Sequence, residues 1–208
     1  MSEALNRATR SIRDTDLPHM VLDLRELPLE FQDFQPTRDG ILDNPTMAEQ
    51  GFAGSSAEHF AAIGRLTGYV QEFAAPVPQG EVIPIGYDLA VATVAHLFED
   101  AAGVSRWMQE IFLGQFEANV GQEIHPGQHL LMVERLPFQS FSDEVAGLRV
   151  LQSGPQGPVS STVVDFRIGR LLGVVYVAAF GNCERRAVVE RLGHIFERKI
   201  VRVVLGDR

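Results

Sequence analysis

Two stretches of the chain repeat their apolar residues with a helical period, and several others alternate apolar and polar positions. In the first, Leu97, Ala101, Val104, Met108, Ile111 and Phe112 recur at spacings of three and four, which predicts one apolar stripe on an amphipathic helix. Glu99 and Asp100 lie near its start, where the helix dipole favours negative charge. In the second, Val188, Leu192, Ile195, Phe196 and Ile200 form a similar stripe, with Asn182 as the expected N-cap and Gly206 as the stop. Alternation marks the strands. Leu66, Gly68, Val70 and Glu72 face one way, and Thr67, Tyr69, Gln71 and Phe73 the other. A following strand is predicted from about Val82 to Ala95, with Pro84 and Gly86 making its start an edge or a bulge. Further strands are expected over Leu130 to Leu136 and Leu148 to Leu151. A hairpin joins Thr162–Arg167 to Leu171–Phe180 around Gly169-Arg170. Near the N-terminus Met20, Leu22 and Leu24 alternate with Val21, Asp23 and Arg25, which predicts a short strand. Asp39-Gly40 and Asp43-Asn44-Pro45 read as turns, with short helices over Thr46–Phe52 and Ser56–Ile63.

Strands that arrive in hairpins, rather than singly between helices, argue against a Rossmann or barrel fold. The expected class is α+β: an antiparallel sheet with two main helices packed on one face. Each half reads strand, turn, strand, helix, and each helix holds an Ile-Phe pair (Ile111-Phe112 and Ile195-Phe196), so a duplicated strand-strand-helix unit is one reading. The polar residues 1–16 are expected to form a flexible N-terminus, followed by a single domain over 17–208. The Pro/Gly loops at 76–80 and 153–158 are too short to link domains.

Composition narrows the field. A chain of 208 residues buries roughly 70% of its unfolded surface, so it needs no disulfide or metal to fold. Its net charge of −9 and dispersed arginines offer no basic face for nucleic acid. Cys183 is the one cysteine, so no intramolecular disulfide forms. No apolar run approaches the ~20 residues of a transmembrane helix, and the start Met1–Arg7 lacks the basic and apolar regions of a signal peptide. As written, the chain is expected to be soluble and cytoplasmic, or extracytoplasmic if an export signal has been trimmed.

Candidate chemistry is sparse. His125 and His129, with Glu123 as a third ligand, are the candidate metal set, but Pro126-Gly127 breaks the helix that would aim both rings at one ion. Cys183 and His194 lie eleven residues apart on one predicted stretch, about 16 Å along a helix, too far to pair directly. The acidic pairs Glu99-Asp100 and Asp143-Glu144 read as dipole compensation and a solvated turn. No phosphate-binding glycine loop and no G-x-S-x-G elbow is present. Tyr69, Tyr87, Trp107 and Tyr176 are the candidate ligand-binding residues, since rings with a polar handle suit pockets. No cofactor is expected.

The phrase Ile63-Gly64-Arg65-Leu66-Thr67-Gly68-Tyr69 is the most distinctive in the chain. It resembles a GR-[IVL]-TGY phrase in uncharacterised bacterial proteins, many of them predicted lipoproteins or secreted. In those proteins it follows a DLP…LP-x-x-[FY] opening, matched here by Asp16-Leu17-Pro18 and Leu27–Phe31, and the hairpin Phe166 to Val177 also looks similar. The resemblance brings no activity and no catalytic residues. The leading expectation is a non-catalytic module for a small apolar ligand or a protein partner, with the site in a groove between the open sheet face and segment 35–60. An enzyme using a metal held by His125, His129 and Glu123 is the rival. A structural subunit, self-associating as a homodimer through a sheet edge or the Trp107 helix, is the third reading. The leading reading treats the reactive residues as scattered where they cannot cooperate.

Overall fold

The computed structural model describes residues 3–76 and 82–207. Most of the predicted loop at 76–80 lies outside that range. The chain begins with a short helix, α1 (Glu3–Ala8), and a series of 3-10 turns at Thr9–Ser11, Asp14–His19, Leu24–Glu26 and Leu29–Phe31. Strand β1 (Gln35–Ile41) follows, then α2 (Asn44–Glu49), α3 (Ala57–Ala62), β2 (Arg65–Ala74) and β3 (Asp88–Phe98). Next comes a composite helix, α over Ala101–Arg106 (α4), π over Trp107–Gln115 and α again over Phe116–Ala118 (α5). The second half holds β4 (Glu123–His125), β5 (Gln128–Arg135), β6 (Glu144–Gln152), β7 (Val159–Ile168), β8 (Leu171–Phe180) and the long helix α6 (Arg186–Val204).

The strands form one antiparallel sheet in the order β1-β2-β3-β8-β7-β6-β5-β4. Its centre is the pair β3 and β8, in register from Ala90 opposite Ala178 to Leu97 opposite Leu171. Successive residues of a strand point to opposite faces, and both faces of these central strands are apolar. On one face α6 lays Val189, Leu192 and Phe196 over Val164, Phe166, Val175 and Val177. The segment 12–34 covers the rest of that face with Leu17, Met20, Leu22 and Phe31. On the other face Val104, Trp107 and Met108 pack with Phe60, Phe98 and Leu172.

The two main helices therefore lie on opposite faces, which corrects the expectation that both pack on one. The pattern misled because a strand covered on both sides reads as a continuous apolar run and carries no sidedness; Leu171–Phe180 is such a run. The same finding removes the duplicated unit. A repeat that made β3 and β8 equivalent would relate these antiparallel neighbours by a two-fold axis perpendicular to the sheet. That operation keeps faces, so the helices after β3 and β8 would share one.

Other local differences have local causes. Residues Met20–Arg25 are not a strand, because side chains satisfy the backbone in place: Asp23 accepts from Arg25 N at 2.8 Å and Glu26 accepts from Asp23 N at 3.0 Å. Asp39-Gly40 is not a turn but part of the edge strand β1, paired with Gln71 and Val70. Leu97 is the next-to-last residue of β3 instead of starting a helix, and Asp100 caps α4 by accepting from Gly103 N at 2.8 Å. Arg185, not Asn182, precedes the first residue of α6. The Gly206 stop is present at φ 94°.

Candidate functional site

The face opposite α6 is not filled. Between β2, β3, β7 and β8 below, the composite helix on one side and the α2–α3 segment above lies a cavity of about 380 Å³. Val70, Val94 and Val174 form much of its floor, and Ile111, Phe112 and Phe52 contribute to its walls. Register explains the floor: Val70, Val94, Val174 and Asp165 lie in one row across four adjacent strands. The π segment explains the wall. Widening a helix to i→i+5 bonding lets residues four or five apart share a face, and Trp107, Ile111, Phe112, Gln115 and Phe116 all line the cavity. Asp43 caps α2 and Ser56 caps α3, which fixes the cover.

Beside the floor, on the same face of the sheet, sits a buried polar cluster built by the distinctive phrase. Gly64 turns the chain at φ 93°, a left-handed conformation that favours glycine. Arg65 follows with only 1% of its surface exposed. Its guanidinium donates to Asn44 Oδ1 at 2.6 Å, to the Leu42 carbonyl, and to His96 Nδ1 at 3.0 Å. Gly68 is needed beside it, since a Cβ there would lie 2.5 Å from His96 Nδ1 and 2.9 Å from the Arg65 guanidinium. Burial pulls the Arg65 pKa down to about 9, against the opposing pull of Asp43, so the group stays charged at neutral pH. Burial, and then the Arg65 charge, hold His96 well below the usual imidazole range. Because arginine only donates, His96 Nδ1 must be the acceptor, and the ring proton resides on Nε2. Trp107 closes the cluster, with the Arg65 guanidinium 5.6 Å from its ring centre and the His96 ring 5.8 Å away.

Asp165 projects from β7 into the same cavity and is 1% exposed. Burial pushes its carboxyl well above the usual carboxylate range. Among the described residues, three buried side-chain atoms lack a hydrogen-bond partner: Ser55 Oγ, Arg149 Nε and Asp165 Oδ1. Two of the three, Ser55 and Asp165, line this cavity. Ser55, His96 and Asp165 are the residue types of a catalytic triad but are not wired as one. His96 Nδ1 is engaged by Arg65 rather than a carboxylate, and neither Ser55 Oγ nor Asp165 Oδ1 is hydrogen-bonded to the ring.

Of the aromatic residues singled out by sequence, Trp107 and Tyr176 line the cavity. Tyr176 donates to Glu72, and burial together with that bond raises its pKa. Tyr69 and Tyr87 pack against the core on the α6 face. The Tyr69 hydroxyl donates to Asp39 at 2.5 Å and the Tyr87 hydroxyl to the Pro76 carbonyl at 3.0 Å. The metal candidates lie far along the sheet, on its β4–β5 edge. Glu123 accepts from Gly127 N at 2.6 Å, which occupies it in closing the hairpin, and His129 is exposed. The His125 side chain lies outside the described residues. No group of three His, Cys, Asp or Glu residues suited to a metal occurs among those described. Cys183 stands before α6 and directs its thiol to the Phe180 carbonyl at 3.7 Å, while His194 stacks on Phe141 with ring centres 4.5 Å apart.

His96 and Asp165 were not singled out by sequence reasoning, and Arg65 only as part of the Ile63–Tyr69 phrase. The available signal was a lone ionisable residue inside an otherwise apolar central strand, as in Ala92–Phe98 and Thr162–Phe166.

The extracellular domain of PknH from Mycobacterium tuberculosis has a similar fold, with a TM-score of 0.58 at 13% identity, over 93% of this chain and 97% of that one. At that identity the likeness concerns the fold alone. No family model matches the chain, and no curated protein matches its sequence. No helix among the described residues is long and apolar enough to cross a membrane.

Proposed function

We propose that this chain is a non-catalytic binding module that holds a small, largely apolar ligand between the sheet and the α2–α3 cover. The observation that carries this reading is the cavity of about 380 Å³ with valine, isoleucine and phenylalanine on its surfaces. Sites for small molecules typically occupy ~300–1,000 Å³ and combine apolar walls with a few convergent polar groups. The arrangement of Ser55, His96 and Asp165 favours binding over turnover, because the ring nitrogen a relay would use is occupied by Arg65. The likeness to an extracellular domain supports recognition outside the cytoplasm as its setting. The resemblance of the Ile63–Tyr69 phrase to uncharacterised bacterial proteins, many of them predicted lipoproteins or secreted, points the same way.

Trp107 is the one tryptophan of the chain and forms part of the cavity wall, so its fluorescence reports on occupancy. A panel of small apolar compounds is expected to include members that change Trp107 emission and raise the melting temperature in parallel. A ligand at a hundred times its dissociation constant stabilises by about 2.7 kcal/mol. If every compound leaves both signals unchanged, the reading fails.

A further inference from the structure

Resting on that reading, we infer that the ligand carries a hydrogen-bond-donating head, an amine or a hydroxyl, which meets the Asp165 carboxyl at the cavity floor while its apolar body fills the remaining space. Buried polar atoms are nearly always partnered, so an orphan needs a specific explanation. Here two of the three orphans among the described residues fall in one cavity, which suits a site completed by an occupant.

The type of head follows from what surrounds the carboxyl. The Asp165 carboxyl keeps acceptor lone pairs whether ionised or protonated, and these call for a donor; when protonated it has one O–H as well, which a hydroxyl head can also accept. The nearby buried cation is already committed: Arg65 donates to Asn44, Leu42 and His96, and does not itself line the cavity. Arg38 lines the cavity from the edge strand β1, four strands away from β7, and donates to Gln50 Oε1 at 2.8 Å. The other titratable groups lining the cavity are His96, held neutral, and Tyr176, whose hydroxyl is engaged by Glu72. An anionic head placed on the floor would therefore meet a carboxyl without a free cation beside it. A head with no donor would leave the acceptor lone pairs of the carboxyl unmet. Around Asp165 the floor is Val94 and Val174, with Val163 two residues before it on its own strand, so the remainder of the ligand is apolar.

The two kinds of head differ in proton balance. A protonated amine brings a positive charge to Asp165 and favours its ionised form, so the carboxyl proton is released to solvent on binding. A hydroxyl donates to the carboxyl and leaves its protonation unchanged.

The test is a matched series on one scaffold: 4-phenylbutylamine, 4-phenylbutanol, 4-phenylbutyrate and butylbenzene, titrated calorimetrically in two buffers of different ionisation enthalpy. The amine or the alcohol is expected to bind the native chain at least tenfold more tightly than butyrate and butylbenzene. Proton release accompanies the amine only. Asp165→Leu should abolish the preference while butylbenzene binds as well or better. Asp165→Asn, which keeps an acceptor without the charge, should retain the alcohol and weaken the amine at least tenfold, and it carries the test if the leucine variant does not fold. Three results would overturn the inference: butyrate binding most tightly, all four binding alike, or the preference surviving Asp165→Leu. If none of the four binds, butylbenzene included, the cavity reading fails instead.

Discussion

The two faces of the sheet are made from the same strands yet finished differently. On the α6 face most buried polar atoms are partnered, Arg149 Nε in the row of Thr162 being an exception. Thr93 Oγ1 accepts from Leu22 N at 3.0 Å, Thr162 Oγ1 from Arg185 N at 2.9 Å, and Glu197 Oε1 from Ser142 N at 2.7 Å. Phe166 and Phe196 meet edge to face, 5.6 Å apart, in the middle of that layer. On the opposite face Ser55 and Asp165 retain unmet, buried atoms beside empty volume. One layer supplies stability, and the other holds back part of it. Two such atoms gathered in one cavity identify a site more sharply than any single residue does, because local rules fail there together.

Substitutions can break or sharpen this contrast. The largest effect is expected from Phe196→Ala on the α6 face, which should cost about 3–5 kcal/mol in chemical denaturation while leaving the affinity of the cavity for butylbenzene unchanged. A cost this large accompanied by lost binding would show the two faces to be less separate than described. His96→Leu removes the acceptor for Arg65 and should destabilise by about 1–3 kcal/mol. It should also remove a pH dependence. His96 stays neutral in the folded chain while the unfolded imidazole gains a proton below about 6.5, so native stability falls as pH drops through that range.

Asp165→Leu works in the opposite direction and should stabilise the unliganded chain by about 1–3 kcal/mol near neutral pH, since it removes an unmet buried group. The folded carboxyl holds its proton above the ordinary value of 3.8, whereas the unfolded one releases it. The unfolded state then binds fewer protons, and native stability falls with rising pH. The advantage of the variant should accordingly grow in thermal melts as pH rises above about 4, the ordinary carboxyl value. A constant or shrinking advantage would contradict the burial of an unpaired acid. The smallest effect is expected at the start of the cavity-side helix, where Asp100→Ala loses the α4 cap at a cost of about 1 kcal/mol. Circular dichroism melts would resolve it.

Much of the framework was legible in the sequence. The alternation over Leu66–Phe73 yields β2, the Gly169-Arg170 turn yields the β7–β8 hairpin, and the Val188–Ile200 stripe yields α6. A groove above the sheet next to segment 35–60 was also expected, and the cavity lies there with Leu42, Met47, Phe52 and Phe60 among its lining residues. Sidedness was not legible, because the central strands are apolar on both faces. Nor was the convergence of reactive residues. His96 and Asp165 stand far apart in the chain, and only the antiparallel placement of β7 against β8 and β8 against β3 brings them to one cavity. The sequence suggested reactive residues too scattered to cooperate. These two in fact share a cavity, joined by Ser55 from the cover.

Methyl-labelled NMR during titration with butylbenzene tests the central claim most directly, since one probe then reports on both faces at once. The methyl groups of Val94, Val174 and Ile111 on the cavity side should shift, while those of Val175, Val177 and Leu192 under α6 remain in place. Shifts confined to the α6 side, or none on either face at saturating probe, would contradict the account.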